Sequence, residues 1–254
     1  MGQHLSYSQI SMYLDCSRKW QGHYKQGLTN PLGEALVFGT VAHNVMEQFV
    51  QDKSLDMQEL WDMAWEVERE KTAFKGIVWE ETPDATYSTG MKLFSNNEVA
   101  DVLSTIEPKK IGDEFQIERF VEWKLEDIPT IIGYIDCICD DGVPLDFKTA
   151  GRMWPDDKAG KELQPLFYLA ALDQLGEFDH TYRFRHVVVT KTKNPRISIF
   201  ENQRSKEEIE FMELIIRRVW NGISSGVFIP NPTSFMCSPK YCGTWMECVG
   251  KYQG

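Results

Sequence analysis

The chain has 254 residues, 42% hydrophobic and 26% charged, which suits one large domain, or one domain with an appendage, with a real core, and argues against a disordered chain. A net charge of −11 argues against phosphate binding by the surface as a whole, so contact with nucleic acid would need clustered cations or a metal. No apolar run is long enough to cross a bilayer and the N-terminus lacks a signal-peptide core, which points to a cytoplasmic protein without a membrane partner.

Met1-Gly2-Gln3-His4-Leu5-Ser6 fits a myristoylation pattern, but Ser6, or Ser8, has a better use as the cap of a first helix. Ile10, Tyr13, Leu14 and Trp20 mark the apolar side of that helix, and Cys16 lies on it. Arg18, Lys19 and Lys25 form a small basic cluster, whose ordinary reading is a solvated face. Gly27, Pro31 and Gly33 break residues 24–36 into a loop. A second helix is predicted over 39–51, buried through Val41, Val45, Met46 and Phe49. His43 and Glu47 stand one turn apart on it, and Glu47 reads as a surface acid.

Residues 54–108 carry no chemical signature. Helices are predicted over 56–73 and 84–104, with Trp61, Ala64 and Trp65 at core spacing, giving a helical insertion expected to lie over the site. Residues 114–125 alternate as a strand, with Val121, Trp123 and Leu125 on one face. A helix over 161–175 carries Gln164 and Tyr168 one turn apart, in place to hold a phosphate or a base. Strands follow over 181–190 and 196–200, then an amphipathic helix over 206–223. Arg183, Arg185, Lys191, Lys193 and Arg196 make a second basic cluster. Strand, hairpin, helix, strand is the order of an α/β protein with a mixed central sheet flanked by helices.

The hairpin, 133–148, carries the chemistry. Short apolar runs flank Asp140-Asp141-Gly142. A three-residue loop with Gly142 left-handed pairs Cys139 with Val143 and sets Asp136 opposite Asp146. Asp146 and Lys148 then share a face, roughly 7 Å apart. Two carboxylates side by side repel, and a divalent cation relieves them. Such a cation polarises a phosphoryl oxygen, and an adjacent lysine stabilises developing negative charge.

Gly133-x-x-Asp136, Asp146-x-Lys148 and Gln164-x-x-x-Tyr168, preceded by Gly39-Thr-Val-Ala-His43, resemble the RecB-type branch of the PD-(D/E)XK nucleases. The resemblance implies a restriction-endonuclease-like core and metal-dependent hydrolysis of DNA by an exonuclease. It assigns Mg²⁺ or Mn²⁺ to His43, Asp136, Asp146 and the Phe147 carbonyl, and catalytic roles to Asp136, Asp146, Lys148, Gln164 and Tyr168. Gly39 would let the helix start approach a neighbouring backbone. DNA is the implied partner, with a single-strand annealing protein or a helicase beside it. A non-cleaving scaffold that keeps the fold is the alternative.

Of six cysteines, Cys137 and Cys139 sit beside the hairpin turn on the side away from Asp136 and read as buried thiols. Cys16, Cys237, Cys242 and Cys248 make four, the number an iron–sulfur cluster or a zinc ion requires; free thiols are the third reading. One remote N-terminal cysteine and three near the C-terminus resemble the cluster-bearing RecB-type nucleases, which implies a 4Fe-4S cluster tying the two ends together. The spacing of Cys237 and Cys242 is wider than that branch usually shows.

Overall fold

In the computed structural model, which describes residues 4–176 and 181–252, the central feature is a six-stranded mixed sheet. Its strands in chain order are β1 (Leu5–Ser6), β2 (Ile117–Trp123), β3 (Ile131–Ile138), β4 (Pro144–Ala150), β5 (Arg183–Thr190) and β6 (Ile197–Gln203). β2 runs antiparallel along β3, from Ile117 opposite Cys137 to Trp123 opposite Ile131. A strand has two edges, so β1, parallel to β3 at Leu5 and Ile131, and β4, antiparallel at Ile138 and Pro144, share the other one. β4 thus pairs with β3 only near the turn, and the strands part beyond Cys137 and Leu145. The gap between them lets polar side chains enter the sheet. β5 lies parallel to β4, and β6 closes the edge antiparallel to β5.

The hairpin adopts the expected loop. Gly142 is left-handed (φ 80°), its N–H donates to the Cys139 carbonyl at 2.9 Å, and Cys139 N–H donates to the Val143 carbonyl at 3.0 Å. Asp136 and Asp146 are the next residues along the two strands, just past the last pair, Cys137–Leu145, where the strands part. Cys137 and Cys139 are buried in the core, as expected.

Seven α-helices are described: α1 (Tyr7–Trp20), α2 (Glu34–Gln51), α3 (Met57–Thr72), α4 (Pro83–Phe94), α5 (Asn97–Ser104), α6 (Gln164–Leu175) and α7 (Lys206–Ser224). One core joins the sheet to α2–α5 through Val45, Met46, Phe147 and Val187; a second joins it to α1, α6 and α7 through Ile10, Ile135, Phe167 and Ile216. Trp61 is fully buried, donates its indole N–H to the Tyr87 carbonyl at 3.1 Å and packs on Trp65, so these tryptophans are core. α3, α4 and α5 pack behind α2 and line none of the site cleft described below, contrary to the expected cover.

Several boundaries differ from the sequence reading. α2 begins at Glu34, five residues before Gly39, because the Glu34 carboxylate accepts the N–H groups of Glu80 and Glu81 at 2.8 Å and pins the first turn. Gly39 is therefore mid-helix, and a Cβ there would meet Thr149 Oγ1 at an ordinary 3.6 Å, so no close approach depends on it. The helix predicted over 84–104 is two, since Asn96 caps α5 by accepting the Glu98 N–H and also donates to the Pro195 carbonyl, both at 2.9 Å. α1 is capped by Ser6, as expected, but kinks at Cys16 (φ −155°, ψ 102°) and runs on into a π-helical turn, Gln21–Lys25.

Gly133 marks a close approach that matters. A Cβ there would stand 2.6 Å from the Phe167 ring and 3.1 Å from that of Tyr168. Gly133→Ala is expected to cost about 1–3 kcal/mol by overpacking, read from urea unfolding. Wild-type stability in that variant would mean that α6 shifts freely.

Candidate active site and cysteine nest

The parted strands, α2 and α6 bring the acids together. Asp136 accepts the Phe147 N–H at 2.7 Å, which fixes its carboxylate between β3 and β4. His43 Nδ1 lies 3.4 Å from Asp136 Oδ2, and its ring meets the Phe147 backbone. Lys148 Nζ reaches both oxygens of Asp146, at 2.9 and 2.7 Å, and donates to Gln164 Oε1 at 3.0 Å. Gln164 Nε2 in turn donates to the Tyr168 hydroxyl at 2.9 Å. Asp146, Lys148, Gln164 and Tyr168 thus form one continuous chain of polar contacts. Tyr168 is almost fully buried and stacks on Phe184, so it supports Gln164 and is not open to a phosphate or a base as expected. The Gln164 amide is likewise spent on Lys148 and Tyr168.

Two acids missed or misread in the sequence belong here. His43, Glu47 and Asp136 place ligand atoms within 4.8 Å of one another, the one such trio of His, Cys, Asp or Glu atoms among the described residues. Glu47 is therefore no surface acid: its Oε1 is buried without a partner, and its side chain hydrogen-bonds Glu118. Glu118 lies on β2 at the rung opposite Asp136, left-handed at φ 49°, and that rung is missing from the ladder. It lines an open cleft with Gly39, Thr40, His43, Asn44 and Glu47.

Burial sets the electrostatics. It pushes Asp136 up to about 6, against the pull of the Phe147 N–H and Lys148. It pushes Asp146 up to about 6 as well, with Lys148 opposing and Asp136 adding to the rise. Burial, then the hydrogen bond and charge of Glu118, then Asp136, take Glu47 to about 9. Burial lowers His43, so its imidazole is neutral and free to donate a lone pair. An excess of buried acid, a neutral imidazole and an orphaned carboxylate oxygen fit a hard divalent cation.

A pH dependence follows. Asp136 and Asp146 keep their protons to about pH 6 when folded but only to about pH 4 when unfolded. Their contribution to stability is therefore full below pH 4 and lost as pH rises through 6. A cation restores it above pH 6, so Mn²⁺ at about 100 times its Kd should raise Tm at pH 8 by about 5–10 °C. The shift should fade below pH 6 in scanning calorimetry. A shift equal at pH 5 and pH 8 would place the cation elsewhere.

The basic clusters are less available than their composition suggests. Arg185 pairs with Asp141 at 2.6 Å and Glu201 at 2.7 Å, and Arg183 with Glu201 at 3.4 Å. Lys191 lies over the Phe38 ring. Arg18 bonds Gln21, Gln26 and Glu247, Lys25 lies over Phe228, and Lys19 is 4% exposed beside the cysteines.

Cys16, Cys237, Cys242 and Cys248 line one pocket between the α1 kink and the C-terminal segment. The segment is docked by its backbone: Asn231 N–H donates to Cys16 Sγ at 3.4 Å, Asn231 Nδ2 to the Asp15 carbonyl at 2.8 Å, and Ile229 N–H to Ser17 Oγ at 2.7 Å. Ser234 bonds the Asp15 carboxylate at 2.9 Å. Burial and the other three sulfurs raise Cys237, so the thiolates need a cation to coexist.

The model of the PD-(D/E)XK nuclease superfamily matches residues 4–249, nearly the whole chain. The chain belongs to the PD-(D/E)XK nuclease superfamily. No curated protein matches this nuclease in sequence. Among solved structures it is similar to a provisionally assigned exonuclease from Eubacterium rectale, at 11% identity and a TM-score of 0.60 over 92% of this chain and 85% of the other. That likeness confirms the α/β fold. The mixed sheet flanked by helices is the nuclease core, and the superfamily uses divalent metals. No described helix is long and apolar enough to cross a membrane.

Proposed function

We propose that this nuclease is a Mg²⁺- or Mn²⁺-dependent exonuclease acting on DNA. The observation that supports the reading is the chain Asp146–Lys148–Gln164–Tyr168 beside the His43–Asp136 pair, which brings candidate cation ligands near one held ammonium. His43, Asp136, Asp146 and the Phe147 carbonyl would hold the cation. When bound, it polarises a phosphoryl oxygen and lowers the pKa of its water. Asp136 is kept in place by the Phe147 N–H, and Gln164 fixes the direction of the Lys148 ammonium. Lys148, 28% exposed at its side chain, can meet the charge that builds on the phosphate. The similar E. rectale structure supports the exonuclease choice. A single-strand annealing protein or a helicase, which handles DNA ends, is the partner class that fits.

The same proposal gives the cysteine nest a 4Fe-4S cluster. Support comes from the count, the common pocket and the N–H···S bond from Asn231. The test of function is cleavage of end-labelled linear DNA and of a closed circle with Mg²⁺ or Mn²⁺. Nucleotides released from linear DNA alone are expected. Cutting of the circle would make the enzyme an endonuclease, and DNA binding without cleavage under either cation would make it a scaffold.

A further inference from the structure

Motif spacing singles out His43, Asp136 and Asp146, and the geometry around α2 points to one more member. His43 and Glu47 are one turn apart on α2, so their side chains reach the same point from a rigid element. Their ligand atoms and that of Asp136 lie within 4.8 Å of one another. The Glu47 Oε1 atom is buried and has no hydrogen-bond partner. A buried oxygen without a donor is costly and calls for an explanation. The charges bearing on Glu47 are Glu118 and Asp136, both acids, so they supply no countercharge. Asp146 differs in its charge: Lys148 donates to its Oδ1 at 2.9 Å and pairs with it as an ion, although its Oδ2, like Glu47 Oε1, has no hydrogen-bond partner.

We propose that Glu47 is a direct ligand of the catalytic cation, closing a His43–Glu47–Asp136 trio on the α2 side of the site. This rests on the cation site proposed above and adds a residue to it. Asp146 would remain a ligand of the cation and Lys148 its paired ammonium. Glu118, bonded to Glu47 from β2, positions the new ligand. A nitrogen and several carboxylate oxygens suit Mn²⁺ well.

Titration calorimetry with Mn²⁺ on the full chain tests this, in parallel with cleavage of linear DNA. Glu47→Gln keeps the shape and is expected to weaken Mn²⁺ at least tenfold, the scale of a lost metal contact. Glu47→Asp keeps the charge but draws the carboxylate back by one methylene, and should also bind Mn²⁺ more weakly than wild type. This second variant covers the case in which Glu47→Gln fails to fold. Wild-type protein that cleaves DNA, with both variants binding Mn²⁺ as tightly as wild type, overturns the assignment and leaves the nuclease reading intact. Wild-type protein that neither binds Mn²⁺ nor cleaves overturns both.

Discussion

Asp146→Ala is expected to abolish cleavage, by roughly a thousandfold or more, while the fold survives. Its carboxylate is buried and pushed up to about 6, so the cation-free protein loses little by giving it up. The cation loses a ligand, and Lys148 loses the partner that holds it at 2.7 Å. Lys148→Ala should lose most activity too, yet bind Mn²⁺ nearly as wild type, because the ammonium is not a ligand. Kinetics and Mn²⁺ calorimetry on both variants separate the roles. Cleavage by Asp146→Ala within tenfold of wild type would remove this carboxylate from the mechanism.

The second large effect concerns the nest. Anaerobically purified protein should be brown, and Cys16→Ser or Cys242→Ser should bleach it. A link between positions 16 and 248 closes a loop of about 230 residues, worth about 5 kcal/mol by the disulfide analogy. The bonds from Asn231, Ile229 and Ser234 to residues 15–17 already close part of that loop, so the measured loss should fall below this figure. Hydrogen exchange should quicken in the second half of α1 and in the C-terminal segment together, with β3 and β4 less affected. Colourless protein containing zinc keeps the staple with another metal. Protein with neither iron nor zinc, whose Cys16→Ser variant melts like wild type, would end the proposal.

What the sequence revealed of the site was whatever local chemistry fixes. The hairpin register followed from Asp140-Asp141-Gly142, because a three-residue loop with a left-handed glycine leaves little choice. Asp136, Asp146 and Lys148 fell into place with it. Glu47 was visible beside His43, but an acid one turn from a histidine looks the same on a solvated face as in a cleft. Glu118 had no signal at all, since a left-handed glutamate in a strand comes from tertiary packing and not from residue type. The α1 kink at Cys16 was hidden for a similar reason: its partners lie at 229–234, far along the chain. The split at Asn96 was a readable cap that helical periodicity on both sides masked.

The docking of residues 229–234 onto the kink also orders events during synthesis. Every described partner of Asp15, Cys16 and Ser17 in that segment is made more than two hundred residues later. At about 5–20 residues per second, the first thiol waits roughly ten to forty seconds for its companions. During that interval the nuclease half of the sheet can assemble without it. The strands that carry Asp136, Asp146 and Lys148 can therefore be complete before the four cysteines first meet.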